Sequence, residues 1–370
     1  MTPQSDVALA PFCTMNVGGP ARWFVEARTE SDLVGALEWA AQRGAAVHVL
    51  GGGSNIVVSD AGFDGLVIRV HLLGVESAAV AAHRLYIAGA GEPWEPFVAQ
   101  IVSDDCAGIE CLSGIPGLVG GTPIQNVGAY GQEVSSTITR VHAIDRTTGM
   151  PRSFSTAQCG FGYRTSRFRH ADAERYVVTR VEFVLTPYGP PTTTYADVVA
   201  FLERAGMLAP TLQHLRTAIL EIRRRKGMVI EDGNPANRSC GSFFVNPVVS
   251  RDELDRVQAT AGTASVPHFA VDAQSAKIPA AWLIERSGFA RGVRRGTVGI
   301  SPFQAQAVVN LGGASASDVL ALACDVKRAV WRTFRISLVP EPVFVGFGGA
   351  ADLRFLLTHL RTEDDLGEAG

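Results

Sequence analysis

The chain has 370 residues, enough for more than one core, and 33 Lys+Arg against 36 Asp+Glu give a formal charge of −3. That balance excludes a basic nucleic-acid or membrane surface, so an anionic ligand must be held by a few local cations. A content of 46% hydrophobic and 19% charged residues describes an ordered globular protein. No apolar run approaches a membrane span, and Met1-Thr-Pro-Gln-Ser-Asp has no basic segment followed by an apolar one, so no secretory signal is expected. The six cysteines contain no C-x-x-C pair, which fits reduced thiols in a cytosol and no metal site.

Thr29 with Asp32 predicts a capped helix, and Leu33, Ala36, Leu37, Ala40 and Ala41 keep helical spacing up to Gly44. Val47–Leu50 reads as a strand, 51–55 (Gly-Gly-Gly-Ser-Asn) as a loop, and Ile56–Val58 and Gly65–Val70 as further extended runs. Residues 1–70 thus form a βαβ-like unit. Arg84–Ala88, Ile138–Ile144 and Tyr176–Leu185 are apolar or alternating strand runs in a region that ends at the Pro/Gly/Thr patch 187–194. A helix follows from about Thr211 to Lys226. A third α+β region runs from Gly241 to about Gly346, with Val319, Leu322, Ala323, Val326, Val330 and Phe334 on one helical stripe. In it Ile336–Val339 and Val343–Val345 read as apolar strands flanking Glu341. Residues 347–370 read as a polar-ended tail. The mixed element order argues for an α+β protein of several subdomains, bounded at 1–70, 71–221, 222–346 and 347–370.

Two glycine-rich segments stand out. The loop 51–55 follows a strand, where bare backbone lets N–H groups approach a phosphate, although an ordinary tight turn would look the same. Residues 113–131 (SGIPGLVGGTPIQNVGAYG) cannot be a regular helix or strand and wrap backbone around something large. A surface loop would expose Ile115, Leu118, Val119, Ile124 and Tyr130. Gly89-Ala-Gly91 opens like a dinucleotide fingerprint, but Trp94 stands at the third glycine, and there is no P-loop motif.

Thr14-Met-Asn-Val-Gly-Gly-Pro-Ala21, Val49-Leu-Gly-Gly-Gly-Ser-Asn55 and 113–131 resemble the flavin-binding signatures of the UDP-N-acetylenolpyruvoylglucosamine reductase (MurB) family, in the right order. The resemblance runs to about Gly346. It implies a two-subdomain, PCMH-like FAD-binding fold plus a C-terminal α+β substrate-binding domain, and a noncovalent FAD. It also implies reduction of an enolpyruvyl ether with NADPH, hydride passing from flavin N5 to C3. The cofactor candidates are Gly51, Gly52, Gly53, Ser54, Asn55, Ser113, Gly114, Ile115, Pro116, Gly117, Gly120, Gln125, Asn126, Gly128, Ala129 and Tyr130.

The resemblance also nominates reacting groups, each with a plainer reading beside it. Arg164, in Tyr163-Arg-Thr-Ser166, would face the substrate carboxylate, or is a surface arginine beside Arg167 and Arg169. Ser242, in Gly241-Ser-Phe-Phe-Val-Asn-Pro247, would protonate C2, or is a turn serine beside core phenylalanines. Glu341, in Pro340-Glu-Pro342, would act with Arg164 on the developing charge, or is a turn tip. Arg223 and Lys226 would anchor a diphosphate, or belong to a solvated run at a helix end. Tyr195 would donate to a phosphate from a loop of the substrate-covering type, or is merely exposed. Asn246 and Gln304 are further substrate candidates. Pro342-Val343 replaces the family's usual Val-Arg, no histidine precedes Gln304, and 231–239 looks like an insertion. The expectation is a monomeric, bacterial, cytoplasmic enzyme of peptidoglycan precursor synthesis that binds neither nucleic acid nor membrane. A flavin-dependent sugar or alcohol oxidase and a noncatalytic UDP-sugar-binding protein are the competing readings.

Overall fold

The computed structural model describes residues 2–231, 234, 237–263 and 265–366. Its contacts divide the chain into two compact units interleaved in sequence. The first holds the N-terminal stretch to Val7, Ala21–Gly53 and Asp64–Val229, and the second holds Ala8–Pro20, Ser54–Phe63 and everything from Ile230 onward. The stretch 1–70 is therefore shared between the two.

In the first unit, a four-stranded sheet runs in the order Gln4–Ala8, Pro20–Ala27, Phe63–Val70, Ala46–Leu50, the last two parallel with Val47 opposite Leu66. The helix Glu30–Gln42 begins at the expected capping box: the Thr29 hydroxyl accepts from Asp32 N at 3.0 Å, and the Asp32 carboxylate accepts from Thr29 N at 2.9 Å. Its Leu33, Ala36, Leu37 and Ala40 are buried. A six-stranded sheet follows, in the order Pro151–Ser155, Ile138–Asp145, Tyr176–Pro187, His83–Gly89, Val75–Val80, with Cys106–Ala107 joined to the end of the long strand.

The helix Trp94–Ser103, left unassigned by periodicity, packs Trp94 and Phe97 against Phe183. This resolves the broken dinucleotide fingerprint. A Cβ at Gly89 would lie 2.2 Å from Leu72 O, and one at Gly91 2.5 Å from Leu72 N, so these glycines permit close chain packing. The helices Ala196–Arg204 and Leu212–Arg225, the second capped by Thr211, close a smaller core with Tyr130 and Cys111.

The second unit is built around the helix Ala316–Phe334. Met15, Val17 and Val57 are buried in its core, and Ile56–Val58 pairs in parallel with Val343–Val345. Asp60 caps the helix, its carboxylate accepting from Ala316 N at 2.6 Å and Ser317 N at 3.0 Å. Asn310 Nδ2 donates to the carbonyls of Met15 (3.0 Å) and Asn16 (3.1 Å), so the Thr14–Pro20 motif is clamped into this unit.

Two expectations change here. Ile336–Val339 forms no strand, because Pro340 and Pro342 interrupt the ladder; of the two runs only Val343–Val345 is a strand. The region after Phe347 contains the helix Ala351–Leu357, whose Leu353 and Leu356 are buried beside Ala316–Phe334. Of the insertion-like segment, residues 232, 233, 235 and 236 lie outside the described residues.

Lys327 secures this C-terminal helix. It is wholly buried, and its Nζ donates to Leu356 O at 2.7 Å and Thr358 O at 2.6 Å. Burial pushes its pKa down to about 8, below an unfolded value of about 10.4. The unfolded chain therefore binds the proton more tightly, and this group's contribution to stability rises with pH between about 8 and about 10.4. Lys327→Met leaves two carbonyls without a donor and should cost about 2–4 kcal/mol in urea unfolding at neutral pH. The wild-type advantage should widen as pH climbs through that window; a difference independent of pH would refute the titration.

Candidate active site

In the first unit, the glycine loop after Leu50 meets the second glycine-rich segment. A Cβ on Gly52 would fall 2.7 Å from Gly117 Cα, so the two backbones touch where neither carries a side chain. Among the described residues the N–H groups of Gly51, Gly52, Ile115, Gly117 and Leu118 donate to no protein acceptor. All five residues are half-buried. Half-buried, uncommitted amides on adjoining bare loops favour a polyanion such as a dinucleotide diphosphate. The residues present therefore fit FAD.

Other candidates on these loops are already engaged. Ser113 is fully buried and its hydroxyl donates to Glu110 O at 2.7 Å. The Gly114 amide donates to Glu95, and Gly120 N to Ala90 O at 3.0 Å. A Cβ at Gly120 would sit 2.5 Å from that of Ala90, so this glycine serves packing. Pro116 has no amide to offer. Gln125 Oε1 accepts from Arg169 at 2.7 Å. Gly128–Ala129 and Gln132–Glu133 form a hairpin whose two turn residues, Tyr130 (φ 50°) and Gly131 (φ 88°), are both left-handed, as a type I′ turn requires. Gly53 ends the first unit's part of the loop, and Ser54 and Asn55 belong to the second.

Arg164 occupies the third position of a four-residue turn closed by Thr165 N donating to Gly162 O at 3.2 Å. Its φ of 54° is costly for a non-glycine residue. Near Tyr130 the structure gathers Tyr195, Lys226 and Arg223. The two tyrosine rings meet edge to face at 5.3 Å, and Lys226 Nζ lies 5.7 Å from the Tyr130 ring and 2.7 Å from the Asp197 carboxylate. Burial lowers the Lys226 pKa, but Asp197 and the two phenols outweigh it and hold the ammonium charged. The cation run splits by helix face. Arg224 and Arg225 are exposed and pair with Glu221, whereas Arg223 is only 6% exposed, its Nη2 donating to Met228 O at 3.0 Å. The plainer reading of a solvated run thus holds for Arg224 and Arg225 and fails for Arg223.

In the second unit the segment carrying Ser242 lies antiparallel to Val339–Glu341. Glu341 N donates to Phe243 O at 2.9 Å and Val245 N to Val339 O at 2.9 Å, with Phe243 and Phe244 fully buried beneath. Ser242 and Glu341 are consequently on adjoining backbone and both half-buried. Asn55 joins them, its Nδ2 donating to Glu341 O at 3.4 Å and its carbonyl accepting from Val343 N at 2.9 Å. Asn246 Oδ1 accepts from Ala280 N at 2.9 Å and from Gln306 Nε2 at 3.2 Å. Gln306 also donates to Phe244 O, and its carbonyl accepts from Phe243 N at 2.8 Å. Gln306 thus supports the serine segment from both ends of the residue, a role the sequence reading missed while favouring Gln304 two positions earlier. Gln304 itself is half-buried, and its carbonyl accepts from Ala307 N.

Comparison with known proteins decides the family. The C-terminal domain model of UDP-N-acetylenolpyruvoylglucosamine reductase matches residues 234–345, and an FAD binding domain model matches 21–154. The UDP-N-acetylenolpyruvoylglucosamine reductase of Thermobifida fusca is 43% identical over 92% of this chain and 97% of its own. That of Mycobacterium tuberculosis is 40% identical over 92% and 94%. The crystal structure of the MurB enzyme from Thermus caldophilus superposes with a TM-score of 0.62 at 25% identity, covering 93% of this chain and 99% of that one. The chain belongs to the UDP-N-acetylenolpyruvoylglucosamine reductase family. It is an FAD-dependent oxidoreductase, with an FAD-binding part followed by the family's C-terminal domain. No helix among the described residues is long and apolar enough to cross a membrane.

For this reductase-family chain, Gly52→Ala forces the two loops apart at Gly117. The variant should fold but purify with less flavin, seen as a lower ratio of visible to ultraviolet absorbance. Full flavin content would remove the loop contact from cofactor binding.

Proposed function

We propose that the protein reduces the enolpyruvyl ether of UDP-N-acetylglucosamine to UDP-N-acetylmuramate in the bacterial cytoplasm, acting as a monomer with NADPH as reductant. The relatives' reductase names support the reaction, and one observation supports its assignment to residues: Ser242 and Glu341 lie on backbone segments hydrogen-bonded to each other. FAD, when bound, would supply the two-electron hydride chemistry that links NADPH to the enolpyruvyl group.

The protein's own groups handle charge and proton. As C3 gains hydride, negative charge builds at C2 and spreads into the carboxylate. Arg164 is the cation assigned to that carboxylate, its guanidinium fork matching a planar anion. Ser242 is the proton donor to C2. A hydroxyl is a weak acid, but an enolate dianion is basic enough to take its proton when the donor is fixed. Glu341 assists Arg164 on the same charge. Lys226, Tyr195 and Arg223 are assigned to the substrate or NADPH diphosphate, which their grouping around Tyr130 supports. Asn246 and Gln304 are assigned to substrate contact; the free Nδ2 end of Asn246 is the part its backbone cap leaves available.

Loss of one donor at a developing charge costs about 3–4 kcal/mol of barrier, or roughly 10²–10³-fold in rate. In anaerobic stopped flow, Ser242→Ala should leave flavin bleaching by NADPH near the wild-type rate and slow recovery of colour on adding the enolpyruvyl substrate by that factor. Equal slowing of both phases would remove Ser242 from the acid role, and no bleaching of the wild type by NADPH would overturn the reductase assignment.

A further inference from the structure

We propose that Glu133 is a positioning residue for Arg164, acting through Asn126 and the bare backbone of Gly128. The proposal rests on the assignment of Arg164 to the substrate carboxylate and goes beyond it by naming what holds the arginine in place.

Arg164 sits in the Gly162–Thr165 turn. Its left-handed φ is unfavourable for a side-chain-bearing residue, so neighbouring contacts must hold it. The carbonyl that closes this turn, Gly162 O, also accepts from Asn126 Nδ2 at 3.0 Å. The same Nδ2 donates to Glu133 Oε2 at 2.8 Å, and Asn126 Oδ1 accepts from Ser135 N at 3.1 Å. Asn126 is 1% exposed, so its amide is a buried bracket with both ends engaged. Glu133 orients it, taking one amide hydrogen so that the other is aimed at the turn.

Gly128 supplies a second link. It pairs directly with Glu133 across the hairpin. A Cβ there would lie 2.7 Å from Glu133 Cγ and 3.5 Å from Arg164 Nη1. The glutamate stem and the guanidinium thus lie over the same bare Cα, and the side chain of one limits the positions open to the other. A displacement of about 1 Å in a group that must meet a planar anion can cost up to about 10²-fold in rate. Glu133 touches neither substrate nor flavin in this scheme; it sets the pose of a residue that does.

The test uses the flavin-loaded enzyme and four variants: Glu133→Ala, Glu133→Gln, Arg164→Ala and the double alanine variant. Glu133→Ala should slow recovery of flavin colour by enolpyruvyl substrate by about tenfold or more. Flavin content, the melting temperature and bleaching by NADPH should remain near wild type. Glu133→Gln keeps an acceptor for Asn126 and should restore most of the rate. The double variant should be no slower than Arg164→Ala, since a positioning group has nothing left to position. Calorimetric binding of UDP-N-acetylmuramate to the oxidised enzyme should weaken in Glu133→Ala and recover in Glu133→Gln. If Arg164→Ala slows recovery but the Glu133 variants do not, or if the two alanine effects multiply, the positioning role is overturned and the Arg164 assignment stands. If Arg164→Ala itself leaves recovery unchanged, that assignment fails, and this proposal with it.

Discussion

Two stretches of backbone must come within van der Waals reach of each other without a side chain between them. Gly52 meets Gly117, and among the described residues the amides around that contact donate to no protein acceptor. Half-buried N–H groups with no protein acceptor, gathered on adjoining bare loops, suit a ligand that supplies the acceptors. The glycines that flank the contact are used differently. Gly89, Gly91 and Gly120 bring strands and turns close enough to set the loops rigidly, so the donors are held before any ligand arrives. Preorganisation of this kind lowers the ordering cost of binding a flexible diphosphate.

The second unit solves a different problem, that of presenting a serine hydroxyl from a segment with no regular structure of its own. Two buried phenylalanines anchor the segment, an isolated bridge from Phe244 to Pro340 pairs it with 339–341, and Gln306 brackets it. The N-terminal segments Ala8–Pro20 and Ser54–Phe63 are built into the same unit, through the Asp60 helix cap and the Asn310 clamp. Segments far apart in sequence are thereby joined: the backbone of Asn55 accepts from Val343 N, and its side-chain amide donates to Glu341 O. Lys327 extends the same logic to the C-terminal helix, trading the desolvation of an ammonium for two carbonyls that would otherwise lack donors.

Local signals carried much of the fold. The capping box at Thr29, the helix from about Thr211, the strand alternation of Tyr176–Leu185 and the apolar stripe of Ala316–Phe334 are each written within a few turns of chain, and the structure follows them. The segment 113–131 was legible because its composition forbids ordinary helix or strand, and the Gly-Ser-Phe-Phe segment through its resemblance to the family motif. What escaped depends on distant partners. Trp94–Ser103 was hidden behind glycines that resemble a fingerprint, and Ala351–Leu357 is held by a lysine on another helix. The prolines around Glu341 broke a strand that apolar content alone suggested. Within the site, Gln306 and Glu133 act through hydrogen bonds to backbone and to buried amides, which leave no spacing pattern to read.

The central claim is that uncommitted backbone amides, more than side chains, hold the cofactor's diphosphate. Amide hydrogen exchange on the apoprotein before and after FAD is restored tests it most directly. Exchange at Gly51, Gly52, Ile115, Gly117 and Leu118 should slow on rebinding, while amides already engaged, such as Gly120, change little. Unchanged exchange at those five positions in a fully flavin-loaded protein would contradict the account.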